Sequence, residues 1–298
     1  MRSMLPLFRS TRPTRSTPLA IALLASLATA PLGAQAFQFS NGNVDGRMAM
    51  ASRPDAPGIG EIEAADDFVL GATTRITSAS FTGLLPFGHP LTDVNALTVE
   101  IYRVFPLDSH VPESGNVPTR TNSPSDVAFA SRSVGSGLTF TTTLLDPSFT
   151  AANSVLNGIH GGPTPKTGGE GPVSGQEVRF DVTFTTPFVL PGDHYFFVPQ
   201  VGVTGGDFFW LSSVRPIVPP GTPFAPDLQA WMRNEALDPD WLRVGTDIVG
   251  LPVAGGAAPT FNGQFALQGQ VVPEPATITL VAGGLALTAA MARRRRRA

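Results

Sequence analysis

The chain has 298 residues, no cysteine, 42% hydrophobic residues and a formal net charge of −3. Without cysteine it has neither disulfides nor thiolate metal sites, and a chain this long can hold a core by burial alone. The small net charge hides an asymmetry. Nine of the twenty basic residues are Arg2, Arg9, Arg12, Arg15 and Arg293 to Arg297, while all 23 acidic residues lie between those two groups. Residues 37–275 therefore carry 11 basic against 23 acidic groups, a formal −12. That excludes nucleic acid as a partner, since phosphates need clustered Lys and Arg.

Residues 1–18 are basic and rich in Ser, Thr and Pro, and an apolar run follows from Leu19 to Ala30 (LAIALLASLATA). A run of about 12 residues is too short to span a bilayer, which takes about 20, but it is the length of a secretory leader's apolar core. Ala34-Gln35-Ala36 supplies the small-x-small site. The expectation is a signal peptide over residues 1–36, cut before Phe37 by signal peptidase.

Residues 37–271 read as β throughout. Runs of alternating or β-branched and aromatic residues recur as DFVL (67–70), RITSASFTGL (75–84), ALTVEIYRVF (96–105), LTFTTTLL (138–145), EVRFDVTFTT (177–186), HYFFVPQVGV (194–203), DFFWLSS (207–213) and FNGQFALQGQ (261–270). In EVRFDVTF, period-2 geometry puts Val178, Phe180, Val182 and Phe184 on one face and Glu177, Arg179, Asp181 and Thr183 on the other. Pro- and Gly-rich links separate the runs, notably 106–125, 157–176 and 215–226. This pattern predicts an all-β body, an antiparallel β-sandwich with jelly-roll-like connectivity, in one domain.

Few side chains in the body advertise chemistry. Asn41, Asn43 and Asp45 with Gly46 follow the first half of a calcium loop, and Asp66 and Asp67 could complete an oxygen-ligand site. Ser52 stands where an EF-hand needs its bidentate glutamate. An Asx-rich turn and an ordinary strand entry account for the same residues. No Gly-x-Ser-x-Gly elbow, His-Glu-x-x-His helix or P-loop occurs, and no cofactor is implied. Carboxylate pairs such as Glu61 with Glu63 are the remaining source of acid–base chemistry. Trp231 and Trp241 flank the polar stretch RNEALDPD. They are the candidates for a surface platform on which sugar rings stack, although large aromatics are usually buried and core packing is the favoured reading for both.

At the far end, Val272-Pro273-Glu274-Pro275 precedes 17 uncharged residues, Ala276 to Ala292, and then Arg293, Arg294, Arg295, Arg296 and Arg297. A helix over 276–292 is about 25 Å long, at the short end of the spanning range. The arginines after it would stay cytoplasmic and place the body outside. The order of these parts, over residues 272–298, resembles the PEP-CTERM sorting signal of Gram-negative bacteria, also labelled the ice-binding protein C-terminal motif, a label that implies no ice-binding activity. The resemblance implies recognition at Pro273, Glu274 and Pro275 by an exosortase, transient anchoring in the inner membrane, and delivery to the envelope or outside the cell, with a link to exopolysaccharide or biofilm. ADDFVL, RITSASFTGLL and FALQG are similar to passages in other exported proteins of that kind, without implying a chemistry.

The resulting expectation is an exported, non-enzymatic envelope or matrix protein. A carbohydrate-binding module, with calcium as a structural ion, is the alternative reading, and a matrix glycan hydrolase the third.

Overall fold

The structure, a computed structural model, describes residues 35–110, 115–162, 166–214, 229–250, 258–273 and 275–297. Residues 1–34 of the expected signal peptide, Ala34 among them, lie outside that set, as do Glu274 and all of the Pro-rich link 215–226. The body, Gln35–Val272, is one compact unit. Fourteen strands are present among the described residues. They are β1 (Ala36–Ser40), β2 (Val44–Ala51), β3 (Ile62–Val69), β4 (Thr74–Pro86), β5 (Val94–Arg103), β6 (Ala130–Val134) and β7 (Gly137–Ala151). The second half adds β8 (Ser154–Val155), β9 (Val173–Leu190), β10 (His194–Val203), β11 (Phe209–Ser213), β12 (Trp231–Asn234), β13 (Leu242–Arg243) and β14 (Phe265–Val271).

The strands form one path, β13-β12-β3-β10-β5-β6-β7-β9-β4-β11-β2-β8, with β14 also on β4 and β1 on β14. The path curls into a half-barrel. Two joins are parallel, β6 with β7 and β2 with β8. The sheet is therefore mixed rather than the purely antiparallel sandwich expected, and jelly-roll order is not recovered. The reason is physical: alternation sets which face of a strand is buried, whereas neighbour order depends on links whose sequence carries little direction. The turn between β6 and β7 shows this. Ser133 and Ser136 bond each other's backbones across Gly135, whose φ is +79°, and the chain passes there from one half of the path to the other.

The core lies inside the curl. Val178, Phe180, Val182 and Phe184 of β9 point inward and are buried, as their alternation predicts. Phe180 stacks on Phe81 of β4, centroids 5.0 Å apart and 4° from parallel. Phe197 of β10 stacks on Phe265 of β14 at 4.8 Å, which packs one half of the path on the other. Gly83 lies under Phe208: a Cβ there would come within 2.0 Å of the ring. The opposite face of β3, β5, β10 and β12 is also covered. Ala65, Tyr102, Val104, Phe196, Val198, Trp231 and Trp241 make a second, smaller cluster there.

The two ends of the body meet. β1 pairs antiparallel with β14, Ala36 opposite Gln270, and Val271 donates its N–H to the Gln35 carbonyl at 2.8 Å. Val272 N–H then bonds the Thr73 carbonyl at 2.7 Å. Past the body, the tail forms α1, Pro275–Arg297. Its first residue is a proline, which suits a first turn that needs no N–H partner. Among the described residues, no helix is long and apolar enough to cross a membrane.

Candidate functional site

Three groups of side chains bear on function. The first is the set of expected ligands and platforms, which the fold uses otherwise. Trp231 and Trp241 are 2% and 0% exposed, so neither forms a surface platform for sugars. Their polar neighbours turn inward with them. Arg233 lies 4.4 Å from the Trp241 ring centroid and is itself buried. Its Nε donates to Glu63, Nη2 to the Tyr102 hydroxyl at 2.9 Å and Nη1 to the Asp126 carbonyl at 3.0 Å. Tyr102 donates to Glu63 at 2.7 Å, and Trp241 Nε1 to the Ser125 carbonyl at 3.1 Å. Burial lifts the Glu63 carboxyl above its ordinary range against the pull of Arg233. Beside it, Arg120 pairs with Asp126 and, at 3.2 Å, with Asp240, all three buried. This network pins residues 120–126 over the outer cluster, so that end of the link is packed structure.

The calcium candidates are likewise drawn apart into separate contacts. Asn41 donates its amide to Asp66 at 2.6 Å and to the Gly263 carbonyl at 2.8 Å, and Gly263 N–H bonds Asp66 at 3.0 Å. Asp67 bonds His194 Nε2 at 2.7 Å, which joins β3 to β10. Asp45 accepts from Ser212 Oγ and from the Arg47 N–H, while Asn43 is exposed in the turn before β2. Among the described residues, no group of three or more His, Asp or Glu side chains is placed to hold a metal ion. Asp45, Asp66 and Asp67 thus accept hydrogen bonds that tie strands together, while Asn41 contributes its amide as a donor.

The second group is one that the sequence did not announce. A cavity of about 260 Å³ opens between residues 53–62, 156–157 and 234–236. Its polar lining is Arg53, Glu61, Asn157, Asn234 and Glu235, with Gly60 in its wall. Arg53 pairs with Asp207 and donates its Nε to the Gly60 carbonyl at 3.1 Å, so its charge is already balanced. Glu61 accepts from Gln200 Nε2 at 2.6 Å. Burial, then the nearby Glu63 charge, raises its carboxyl above the ordinary range. The Glu235 carboxylate lies against Gly60, where a Cβ would come within 2.5 Å of it. At this size the cavity is below the usual ligand range of about 300–1,000 Å³ and admits only a small polar molecule. No local motif could have found it, because its three segments are distant in sequence.

The third group is the processing residues. Ala36 opens β1, and Pro273 follows the last paired residues of the body. Pro275 starts α1, which runs on through the arginines to Arg297, with Arg293 to Arg296 exposed. Ala34 and Glu274 lie outside the described residues.

Comparisons with protein-family models, with curated proteins and with solved structures return no match to this chain.

Proposed function

We propose that this chain is an exported, non-enzymatic envelope or extracellular-matrix protein, made as a precursor that signal peptidase and an exosortase trim at its two ends. The observation that carries this reading is the tail. The body's last sheet bond is donated by Val272 and a helix begins at Pro275, so the Pro-Glu-Pro segment falls where one unit gives way to the next. The helix has 17 uncharged residues, about 25 Å, against a hydrocarbon thickness of about 30 Å. Cleavage at the Pro-Glu-Pro segment would remove this stretch together with the arginines that follow it. Against catalysis, the Glu63 carboxylate is saturated by Arg233 and Tyr102, and Glu61 is held by Gln200.

Intact mass measured separately on membrane and culture-medium fractions tests the reading. The expected released species begins at Phe37 and ends between Pro273 and Pro275. A chain found only in the membrane with Arg293 to Arg297 still attached overturns the sorting assignment. Glycan turnover by the full chain, abolished by Glu235→Gln, overturns the non-enzymatic one.

A further inference from the structure

The outward face of β7-β9-β4-β14-β1 has a composition unlike the rest of the body. In an antiparallel ladder, residues directly opposite share a face, so the register can be followed across all five strands. One row reads Thr139, Thr183, Ser78, Gln268, Gln38. The next reads Thr141, Asp181, Ser80, Ala266, Ser40. A third begins Thr143 and Arg179 and stops at Thr82, which is buried. Inward neighbours such as Phe180, Val182, Phe81 and Leu267 are buried, while Thr139, Thr141, Thr183, Gln268, Gln38 and Ser40 are exposed. The only ionisable pair in these rows is Arg179 with Asp181, which bond each other at 2.9 Å and cancel.

From this arrangement we infer that the face is a docking surface for a neutral, hydroxyl-rich polymer, a polysaccharide without carboxylate or sulfate groups. Charge is the first argument. The three rows carry no net charge, and the row beyond them adds only the carboxylates Asp146 and Glu177, on a body of formal charge −12 (11 basic against 23 acidic groups). An anionic polymer would be repelled by the whole molecule and find no cluster of cations here. A cationic one would go to the acidic remainder. Chemistry is the second. Hydroxyl and amide side chains both donate and accept, as sugar hydroxyls do. Protein partners, by contrast, are usually anchored by buried aromatic or arginine side chains, and these two rows have no aromatic. Geometry is the third. Strands about 4.8 Å apart give a surface about 19 Å across, with successive outward residues about 6.8 Å apart along each strand. Threonine is stiff at χ1, so little side-chain entropy is lost on contact. Many weak, evenly spaced bonds suit an extended chain better than a small solute, for which no concavity is needed.

The extracellular setting of this inference rests on the proposed function, but the binding itself does not. The test uses the purified full chain and measures depletion from solution by cellulose and by cross-linked dextran, with calcium alginate as the anionic control. Thr141→Val with Thr183→Val keeps shape and β-branching on exposed positions while removing two hydroxyls. Retention on at least one neutral polymer, weaker on alginate and at least tenfold weaker in the double variant with an unchanged circular dichroism spectrum, is the expected result. Absence of retention on both neutral polymers, stronger retention on alginate, or an unaffected double variant overturns the inference. A correctly trimmed chain that ignores neutral glycan sinks the face alone, and an untrimmed chain that binds it sinks only the sorting reading.

Discussion

Replacing Arg233 by methionine would remove the charge that balances Glu63 while keeping most of the stem that covers Trp241. Both partners are buried, at 7% and 2% side-chain exposure, so the orphaned carboxylate cannot turn to water. Breaking a buried pair from one side costs about 3–5 kcal/mol, whereas replacing both partners with apolar residues is often neutral. For a body this size each kcal/mol moves the melting temperature by about 2–4 °C, so the loss at pH 7 is about 6–20 °C. The pH dependence gives the prediction its specificity. The folded pKa of Glu63 is already raised above the ordinary value of 4.5 by burial, and losing Arg233 raises it further. A raised carboxyl favours the folded state fully below its unfolded pKa and loses that contribution as pH rises through the folded pKa. The gap between wild type and Arg233→Met therefore narrows as pH falls from 7 toward 4.5, leaving only the lost packing on Trp241. Urea denaturation of both proteins at a series of pH values measures it, and Arg233→Met with Glu63→Met should recover most of the loss at pH 7. A deficit below about 1 kcal/mol at pH 7, or one unchanged across that range, would refute the reasoning, because such values belong to exposed ion pairs.

Trp241→Ala should lower stability by about 3–5 kcal/mol in a denaturant titration and leave retention on neutral glycan per folded molecule unchanged, since the indole is internal. Gly83→Ala forces a methyl into the Phe208 ring and the adjacent Phe209 carbonyl. Its expected cost is about 1–3 kcal/mol in a thermal melt, partly recovered when Phe208→Leu is added.

Alternation in EVRFDVTF was enough to say which side chains of β9 turn inward, because a two-residue period depends only on the strand itself. Neighbour order was not legible. The parallel joins of β6 with β7 and β2 with β8 are set by short corners, Gly135–Ser136 and Ala152–Asn153, that permit a turn without saying where it leads. That Trp231 and Trp241 stood as surface candidates at all, against the core packing they adopt, has a specific cause. Charged residues between them suggested solvent, yet Arg233 and Asp240 find opposite charges on β3 and in the 106–125 link, and a paired charge can be internal. Asn41, Asp45, Asp66 and Asp67 were legible as oxygen-bearing residues, but not which N–H or hydroxyl each would meet. The cavity beside Glu61 and Glu235 was hidden for the same reason, since it exists only where three distant segments converge. By contrast, the hydroxyl rows could have been suspected from the alternating threonines of β7, although extending them over five strands needed the register.

The pairing of β1 with β14 has a consequence for the order in which the body is made. Phe37 and Gly269 face each other across 232 positions of chain, and among the described residues β14 is the only partner of β1. The amino end leaves the ribosome first, so β1 has nothing to bond with until β14 follows, whereas β14 finds β4 already made. The contact is therefore among the most non-local in the molecule, and loop-closure entropy makes such contacts slow to form. Until that seam closes, the exposed edge of β4 and one flank of Phe39 and Phe265 stay open to water. A chain stalled or truncated before residue 265 would carry a nearly finished barrel wall with an unsealed edge, and an unsealed edge is where sheets pair with the wrong neighbour.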